Sequence, residues 1–504
     1  MEPTMSPESG RLLAALAVLA AYAALCGLIA WRAARRRRPA APAAVAAGAP
    51  PILVAYASQT GFAEELAQRT AAVLRAGAVP VRVSGVDGLD ADALASARRA
   101  LFLISTTGEG DAPDSAARFV RRVMGGPAAL SGLDYGLLAL GDSDYARYCD
   151  FGRRLDAWLQ AQGATPLFDR IEVDGGAVEA LDHWQAQVEG LAGTTPASTI
   201  LALAEDFAPW RLVERCVLNP DGLGAPVFRL AFEPLAGQPC WQAGDIAVLA
   251  PCNPPRAVQG LLAALGLGGG GSPALSEALA TRRLPADASG LTGLAPAALL
   301  ARLPPLPRRD YSIASIPEAG RLELLVRQVR GADGEIGLGS GWLTAHVPIG
   351  GEVTLRLRPN PAFRAPDQDV PMILIGNGTG IAGLRAHLQA RRRAGRRRNW
   401  LLFGERSSAR DFLCGEEIEG WLAAGDLARL DLAFSRDGPG RYVQDALRAA
   451  EPALRRWIAD GAVILVCGSL QGMAPGMHAV LQEALGVEGL EALAAEGRYR
   501  RDVY

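Results

Sequence analysis

Ile52-Leu53-Val54-Ala55-Tyr56-Ala57-Ser58-Gln59-Thr60-Gly61-Phe62-Ala63 joins an apolar run to a loop of hydroxyls and glycine, and a helical pattern begins at Glu64. Ile52 to Tyr56 reads as a short strand buried in a parallel sheet. Hydroxyl and glycine residues between such a strand and a helix suit a phosphate. Backbone N–H groups converge there, and the helix N-terminus adds a favourable dipole. No lysine follows the glycine, which excludes a nucleoside-triphosphate loop and points to a phosphate monoester held by neutral donors. A plain strand-turn-helix corner is the alternative reading of this one loop.

Two more junctions of the same kind follow. Leu101 to Ile104 leads into Ser105-Thr106-Thr107-Gly108-Glu109-Gly110-Asp111, and Leu137 to Leu140 into Gly141-Asp142-Ser143-Asp144-Tyr145-Ala146-Arg147-Tyr148-Cys149. Three ligand-type loops at strand C-termini predict a doubly wound α/β unit over residues 52–195, with its site at the carboxyl edge of the sheet. Small residues let a flat ring approach the backbone, and Tyr145 offers an aromatic face for stacking. Glu109, Asp111, Asp114, Asp142, Asp144 and Asp150 lie on or near the two later loops. They read either as a solvated loop surface or as a docking face for a basic partner.

The chain has 504 residues, enough for two or three domains, and half of them are apolar. A net charge of -2 argues against a general nucleic-acid binder. Every fixed cation is an arginine. Seven cysteines without CxxC spacing do not form a disulfide framework. None of the four histidines pairs with cysteine or glutamate at metal-ligand spacing, so no metal site is expected. Leu12 to Trp31 is uncharged and apolar, about the ~20 residues needed to cross a bilayer. Arg32 and Arg35 to Arg38 follow at once. The expectation is a transmembrane anchor at 12–31, with N-terminus outside, and a basic then Ala/Pro-rich linker at 32–51. That would make a single-pass inner-membrane protein with its catalytic domains in the cytoplasm.

Beyond Trp210 the texture changes to short alternating segments such as Val227 to Phe232 and Asp245 to Leu249, as in an antiparallel barrel. The barrel is expected over 200–365, with a helical insertion at 253–305. Within it Arg309-Asp310-Tyr311-Ser312-Ile313-Ala314-Ser315 combines an arginine that can fork onto a pyrophosphate with an aromatic and a hydroxyl. Gly337-Leu338-Gly339-Ser340 follows. A second nucleotide-binding α/β unit is expected over 366–504. There the strand Met372 to Ile375 enters Gly376-Asn377-Gly378-Thr379-Gly380-Ile381-Ala382-Gly383, where glycines bring backbone N–H groups close to a pyrophosphate. Ser435, Arg436, Arg441, Tyr442, Val443 and Gln444 cluster guanidiniums and hydroxyls. Val463 to Val466 ends in Cys467-Gly468, and the chain finishes Arg501-Asp502-Val503-Tyr504. The arginines Arg391 to Arg393 and Arg396 to Arg398 read as a solvated helix end or as a contact for anionic lipid.

Taken in order, these motifs resemble the diflavin reductases, a flavodoxin-like domain followed by a ferredoxin-NADP reductase-like pair, over nearly all of residues 52–504. The third loop is closest to that of the sulfite reductase flavoprotein. The resemblance implies that residues 58–63 hold the FMN phosphate and that the second and third loops cradle the isoalloxazine, with Tyr145 stacked on it. It implies that Arg309 to Ser312 and Gly337 to Ser340 hold FAD, with Tyr504 covering its ring. Gly378 to Gly380 would meet the pyrophosphate of NADPH. The set Ser435, Arg436, Arg441 and Tyr442 to Gln444 suits a 2′-phosphate, favouring NADPH over NADH. Ser312, Cys467 and Asp502 would orient the nicotinamide. Gly383 stands where the family usually has proline, and arginine replaces the usual lysine near the 2′-phosphate. Electrons would run from NADPH through FAD and FMN to a haem or other redox partner, such as a sulfite reductase haem subunit. The alternative from another class is a redox-sensing or scaffolding flavin-binding membrane module without turnover.

Overall fold

The computed structural model describes residues 50–504 apart from 109, 144–146, 194–206, 268–272 and 332–333. Three sheets follow one another along the chain. The first holds β1 (Ile52–Ala57), β2 (Val81–Gly85), β3 (Arg99–Ser105), β4 (Asp134–Gly141), β5 (Thr165–Pro166) and β6 (Ile171–Asp174). All its pairings are parallel, in the order β2-β1-β3-β4-β5 with β6 also on β4. Successive side chains of a strand point to opposite faces. Val54, Leu101, Leu103 and Leu138 therefore pack under the helices Phe62–Ala76 and Val178–Ala192. Leu53, Ala55, Phe102 and Leu137 pack on the other face against Phe151, Leu155 and Leu159 of the helix Asp150–Ala161. Burial on both faces is why these strands read as continuous apolar runs.

The second sheet is antiparallel: β7 (Ala208–Val217), β8 (Val227–Pro234), β9 (Ile246–Ala250), β10 (Arg309–Ser312), β11 (Leu322–Arg327) and β12 (Glu352–Arg358). Its order is β10-β9-β12-β7-β8-β11, and its two ends meet through the bridge between Ile313 and Leu324. Trp210, Phe232, Leu249, Leu324, Leu343 and Leu355 fill its inner face. Three helices, Pro255–Ala264, Pro273–Ala280 and Pro296–Arg302, lie between β9 and β10 and pack on their own cluster around Leu262, Leu279 and Leu299.

The third sheet is parallel again: β13 (Met372–Asn377), β14 (Asn399–Glu405), β15 (Arg429–Phe434), β16 (Val463–Gly468) and β17 (Tyr499–Val503), ordered β15-β14-β13-β16-β17. In both parallel sheets the strand order reverses beside the strand that opens the unit. The crevices lie between β1 and β3 and between β13 and β16, where open α/β sheets bind ligands.

The expected membrane location is corrected. Among the described residues no helix is long and apolar enough to cross a membrane, and residues 12–31 lie outside them; the single-pass inner-membrane assignment is withdrawn. Of the arginines at 391–398 only Arg391 is buried, and the others form a solvated helix end with surface ion pairs. Arg392 pairs with Asp426 at 2.8 Å and Arg398 with Asp460 at 2.8 Å, while buried Arg391 donates to the Val370 carbonyl at 2.8 Å.

Candidate active site

Three cavities meet at the C-terminal residue. The first, about 360 Å³, lies in the crevice of the first sheet and is lined by Gln59, Thr60, Phe62, Ser105, Thr106, Thr107, Gly108, Leu140, Gly141, Asp142, Arg147, Tyr148 and Cys149. Ser58, Gly61, Ala63 and Ser143 shape its loops from outside the lining. Ser58 Oγ accepts from the Ala63 N–H at 3.2 Å and starts the following helix. Gly61 has φ 82°, a left-handed turn that favours glycine. Ser143 is tied down by Asp174, through its N–H at 2.8 Å and its hydroxyl at 2.6 Å. Gly141 has no room for a side chain, because a Cβ there would sit 2.8 Å from the Cys149 nitrogen. The Thr106 and Thr107 hydroxyls are buried without a partner among the described residues, as donors meant for a ligand would be. Asp144, Tyr145 and Ala146 lie outside the described residues.

The second cavity, about 830 Å³, runs along β10 and is lined by Arg309, Asp310, Tyr311 and Ser312, by Gly337, Leu338, Gly339 and Ser340, and by Thr379, Asp502 and Tyr504. A Cβ on Gly339 would sit 2.7 Å from Arg309 Cγ and 3.1 Å from the Tyr311 hydroxyl, so only glycine lets the two segments face each other. The register of β16 on β17 sets Cys467 beside Asp502. Ser312 donates to Asp502 Oδ2 at 2.7 Å, and Cys467 Sγ reaches the same oxygen at 3.8 Å. Asp502 is 2 % exposed. Burial raises its carboxyl above the ordinary range, against the lowering effect of the Ser312 hydrogen bond. Burial, and then the neighbouring carboxylate, push the Cys467 thiol well up. Both groups are therefore poised as hydrogen-bonding partners, and Cys467 is no thiolate nucleophile.

The third cavity, about 630 Å³, opens from the crevice of the third sheet and is lined by Gly378, Thr379, Ser435, Arg441, Tyr442, Val443, Gln444 and Tyr504. Arg436 is exposed and outside the lining, because the turn at 437–440 separates it from Arg441. Gly380 is also outside it: a Cβ there would collide with the Cys467 carbonyl, so this glycine serves the close packing of its turn on β16. The sequence reading missed Arg327, Glu405 and Arg406, which share this wall. Arg327 forms an ion pair with Glu405, and Arg406 Nη1 is buried without a partner among the described residues. Glu405 and Arg406 stand at the C-terminal end of β14, where ligand contacts in parallel sheets gather.

Tyr504 borders all three cavities, and its hydroxyl lies 3.5 Å from Thr379 Oγ1. Thr60 and Arg309 each border the first and second. Two parallel-sheet nucleotide units touch through Arg501 and Asp114 and share these cavities with an antiparallel sheet, the architecture of a flavin-dependent oxidoreductase fed by a nicotinamide nucleotide.

Residues 54–184 match the flavodoxin family, and residues 374–479 match the oxidoreductase NAD-binding domain. The chain is 30% identical to the sulfite reductase [NADPH] flavoprotein alpha-component of Vibrio cholerae serotype O1 over 545 residues, covering 91% of this chain and 88% of that one. It is 30% identical to the protein of that name from Yersinia enterocolitica, with 90% of each covered, and 29% identical to that of Mannheimia succiniciproducens, again with 90% of each covered. The chain belongs to the diflavin reductase family. It is an NADPH-dependent flavoprotein oxidoreductase whose cofactors are FMN, FAD and NADPH.

Proposed function

We propose that the three cavities are the FMN, FAD and NADPH sites in that order, and that the chain delivers electrons to the haem protein of a sulfite reductase. The observation that carries the site assignment is the cluster Ser312, Cys467 and Asp502 beside a terminal tyrosine that touches every cavity. The antiparallel sheet, closed as a barrel, supplies the FAD platform. The bound nicotinamide and flavins supply hydride and single-electron transfer; the protein supplies position, access and charge.

Asp502 keeps a buried carboxyl in the wall of the second cavity, where it would offset positive charge on a nicotinamide ring. Ser312 donates to it and fixes its orientation, and Cys467 holds the same oxygen from the neighbouring strand. Tyr504, which borders all three cavities, would cover a flavin ring held in the second and would have to swing away to admit a nicotinamide. Arg441, Ser435 and Tyr442 are the groups for the 2′-phosphate. Arg406, with a buried unpaired nitrogen in the same wall, adds a donor. Arg436 is left out of this set by its position. A sensing or scaffolding module without turnover has no use for this buried cluster.

The reading is tested by extracting and quantifying flavin from the purified protein and titrating it anaerobically with NADPH. Near-equal FMN and FAD, both reduced by NADPH, is the expected result; FAD alone would sink the assignment of the first cavity. Sulfite-dependent NADPH oxidation on adding a sulfite reductase haem subunit is expected, and its absence would reject that acceptor.

A further inference from the structure

The loop after β1 offers a phosphate only neutral donors, while its helix begins unfavourably for an anion. Glu64 and Glu65 occupy the first turn, where like charge opposes a phosphate that carries roughly −1.5 to −2 at pH 7. Something must offset those carboxylates. The offset comes from the antiparallel sheet, on the opposite side of the first cavity.

Arg356 and Arg358, two residues apart on β12, both line that cavity, and so does Arg308 just before β10. In the strand register Arg356, Val248 and Asp310 form one row across β12, β9 and β10. Arg356 is 3 % exposed and grips Glu65 with both terminal nitrogens, at 2.8 and 3.2 Å. Arg358 is 4 % exposed, bonds Asp310 at 2.5 Å, and lies 5.7 Å from the Phe62 ring, inside the phosphate loop itself. The Nε of each guanidinium is buried with no partner among the described residues. Arg308 stacks on Phe207 at 4.7 Å and has no carboxylate partner among them. The end of β12 also presses on the loop, since a Cβ on Gly61 would sit 3.3 Å from the Pro359 carbonyl. Three guanidiniums thus share two carboxylates, Glu65 and Asp310, and the surplus positive charge suits a bound dianion.

We propose that Arg308, Arg356 and Arg358 form the outer wall of the FMN phosphate subsite, so that the phosphate is held jointly by the flavodoxin-like half and the antiparallel sheet. The inference rests on the first cavity being the FMN site. FMN retention, and preference for FMN over riboflavin, then depend on residues outside the half that carries the phosphate loop.

The test uses the full chain, stripped of FMN with FAD retained, and titrated with FMN and with riboflavin by flavin fluorescence. Arg308→Gln with Arg358→Gln should weaken FMN at least tenfold while riboflavin changes less than twofold and FAD content stays constant. Arg356→Gln, made together with Glu65→Gln so that no buried charge is stranded, should likewise weaken FMN and spare riboflavin. Wild-type FMN binding should weaken with added salt more steeply than riboflavin binding. Unchanged FMN affinity in both variants, or equal losses for FMN and riboflavin, would overturn the proposal. Thr60→Ala separates the two ways of failing. If it weakens FMN while the arginine variants do not, the cavity is right and the arginine wall is wrong. If none of the three has an effect, the cavity assignment itself has fallen.

Discussion

The first and third sheets solve the same problem with different walls. Each is a parallel sheet whose order reverses beside its opening strand, and each places a glycine-bearing loop at that reversal. The first crevice is walled in part by the rest of the molecule. Arg356 reaches Glu65 from β12, Arg501 of β17 pairs with Asp114, and Gln59 donates to Asp114 at 3.1 Å. Gly108 lies so close under Leu470 that a Cβ would collide with it. The wall of the third crevice carries exposed groups: Arg441 is exposed and Tyr442 is 60 % exposed. A nucleotide that must leave after each turnover is served by an exposed wall, and one that stays by buried groups from two units. The fold fixes where a nucleotide binds; its surroundings fix how long it stays.

The sharpest way to break this comparison is at the junction of the two crevices. Asp502→Asn should slow NADPH-driven flavin reduction about 100-fold, the lower end of what a positioned acid or base group contributes. Anaerobic stopped-flow absorbance reads it directly. FMN should remain bound, because Asp502 touches Ser312 and Cys467 and no part of the first crevice. A loss below threefold would remove Asp502 from the hydride site.

Next in size is the exposed wall of the third crevice. Arg441→Ala should raise KM for NADPH about 20-fold, as expected for a charge-assisted contact worth roughly 1.5–3 kcal/mol, and leave KM for NADH unchanged. Arg436→Ala should leave both within twofold. Steady-state kinetics with the two nucleotides decide it, and a large Arg436 effect would show that the turn at 437–440 closes over the nucleotide.

The two arginines show where the sequence was readable. Ser435, Arg436 and Arg441 look alike as a string, and only the turn after β15 sends one outward and keeps the other in the groove. Glycine loops were legible because phosphate recognition by backbone N–H is a local property of a strand-turn-helix junction. Ser312, Cys467 and Asp502 are far apart in sequence, and the register of β16 on β17 brings two of them together. They were found through the order of motifs, with no local signal. Arg308, Arg327, Arg356, Arg358 and Arg406 were missed for a physical reason. In a chain whose every cation is arginine, one more guanidinium on a strand says nothing until pairing shows which face it shares. The acidic residues of the ring-side loops were half legible. Asp114 turns inward to Arg501 and Asp142 to Arg309 at 3.4 Å, so these two do not form a free docking face.

The shared wall of the first crevice carries a pH dependence. Burial opposes ionisation of Glu65, but the hydrogen bonds and charge of Arg356, helped by Arg69 and Arg358, hold its carboxyl below the usual range. A depressed folded pKa contributes stability that is complete above the unfolded value of about 4.3 and is lost as pH falls through the folded one. Glu65→Gln should therefore destabilise the protein by about 2 kcal/mol at pH 7, less than a fully buried pair because the Glu65 side chain is 22% exposed. Thermal unfolding of wild type and variant should begin to converge as pH falls below about 4.3 and should meet only below the lowered folded-state value. A difference that persists undiminished there would mean packing, not charge, ties the two units.

The smallest effect sharpens the comparison most finely, because it separates a wall built for a ligand from one built for the fold. The Thr106 hydroxyl faces the first cavity, buried and unpaired among the described residues. An unmade hydrogen bond at a buried hydroxyl is a cost to the flavin-free protein, so the isosteric Thr106→Val should leave its melting temperature unchanged or slightly raise it. FMN affinity should fall about fivefold, the worth of one neutral hydrogen bond of about 1 kcal/mol. Melting temperature of the flavin-free protein and FMN titration, measured on one preparation, give both numbers. If the melting temperature falls and FMN affinity holds, that hydroxyl serves the fold, and the first crevice is walled for stability rather than for retention of its nucleotide.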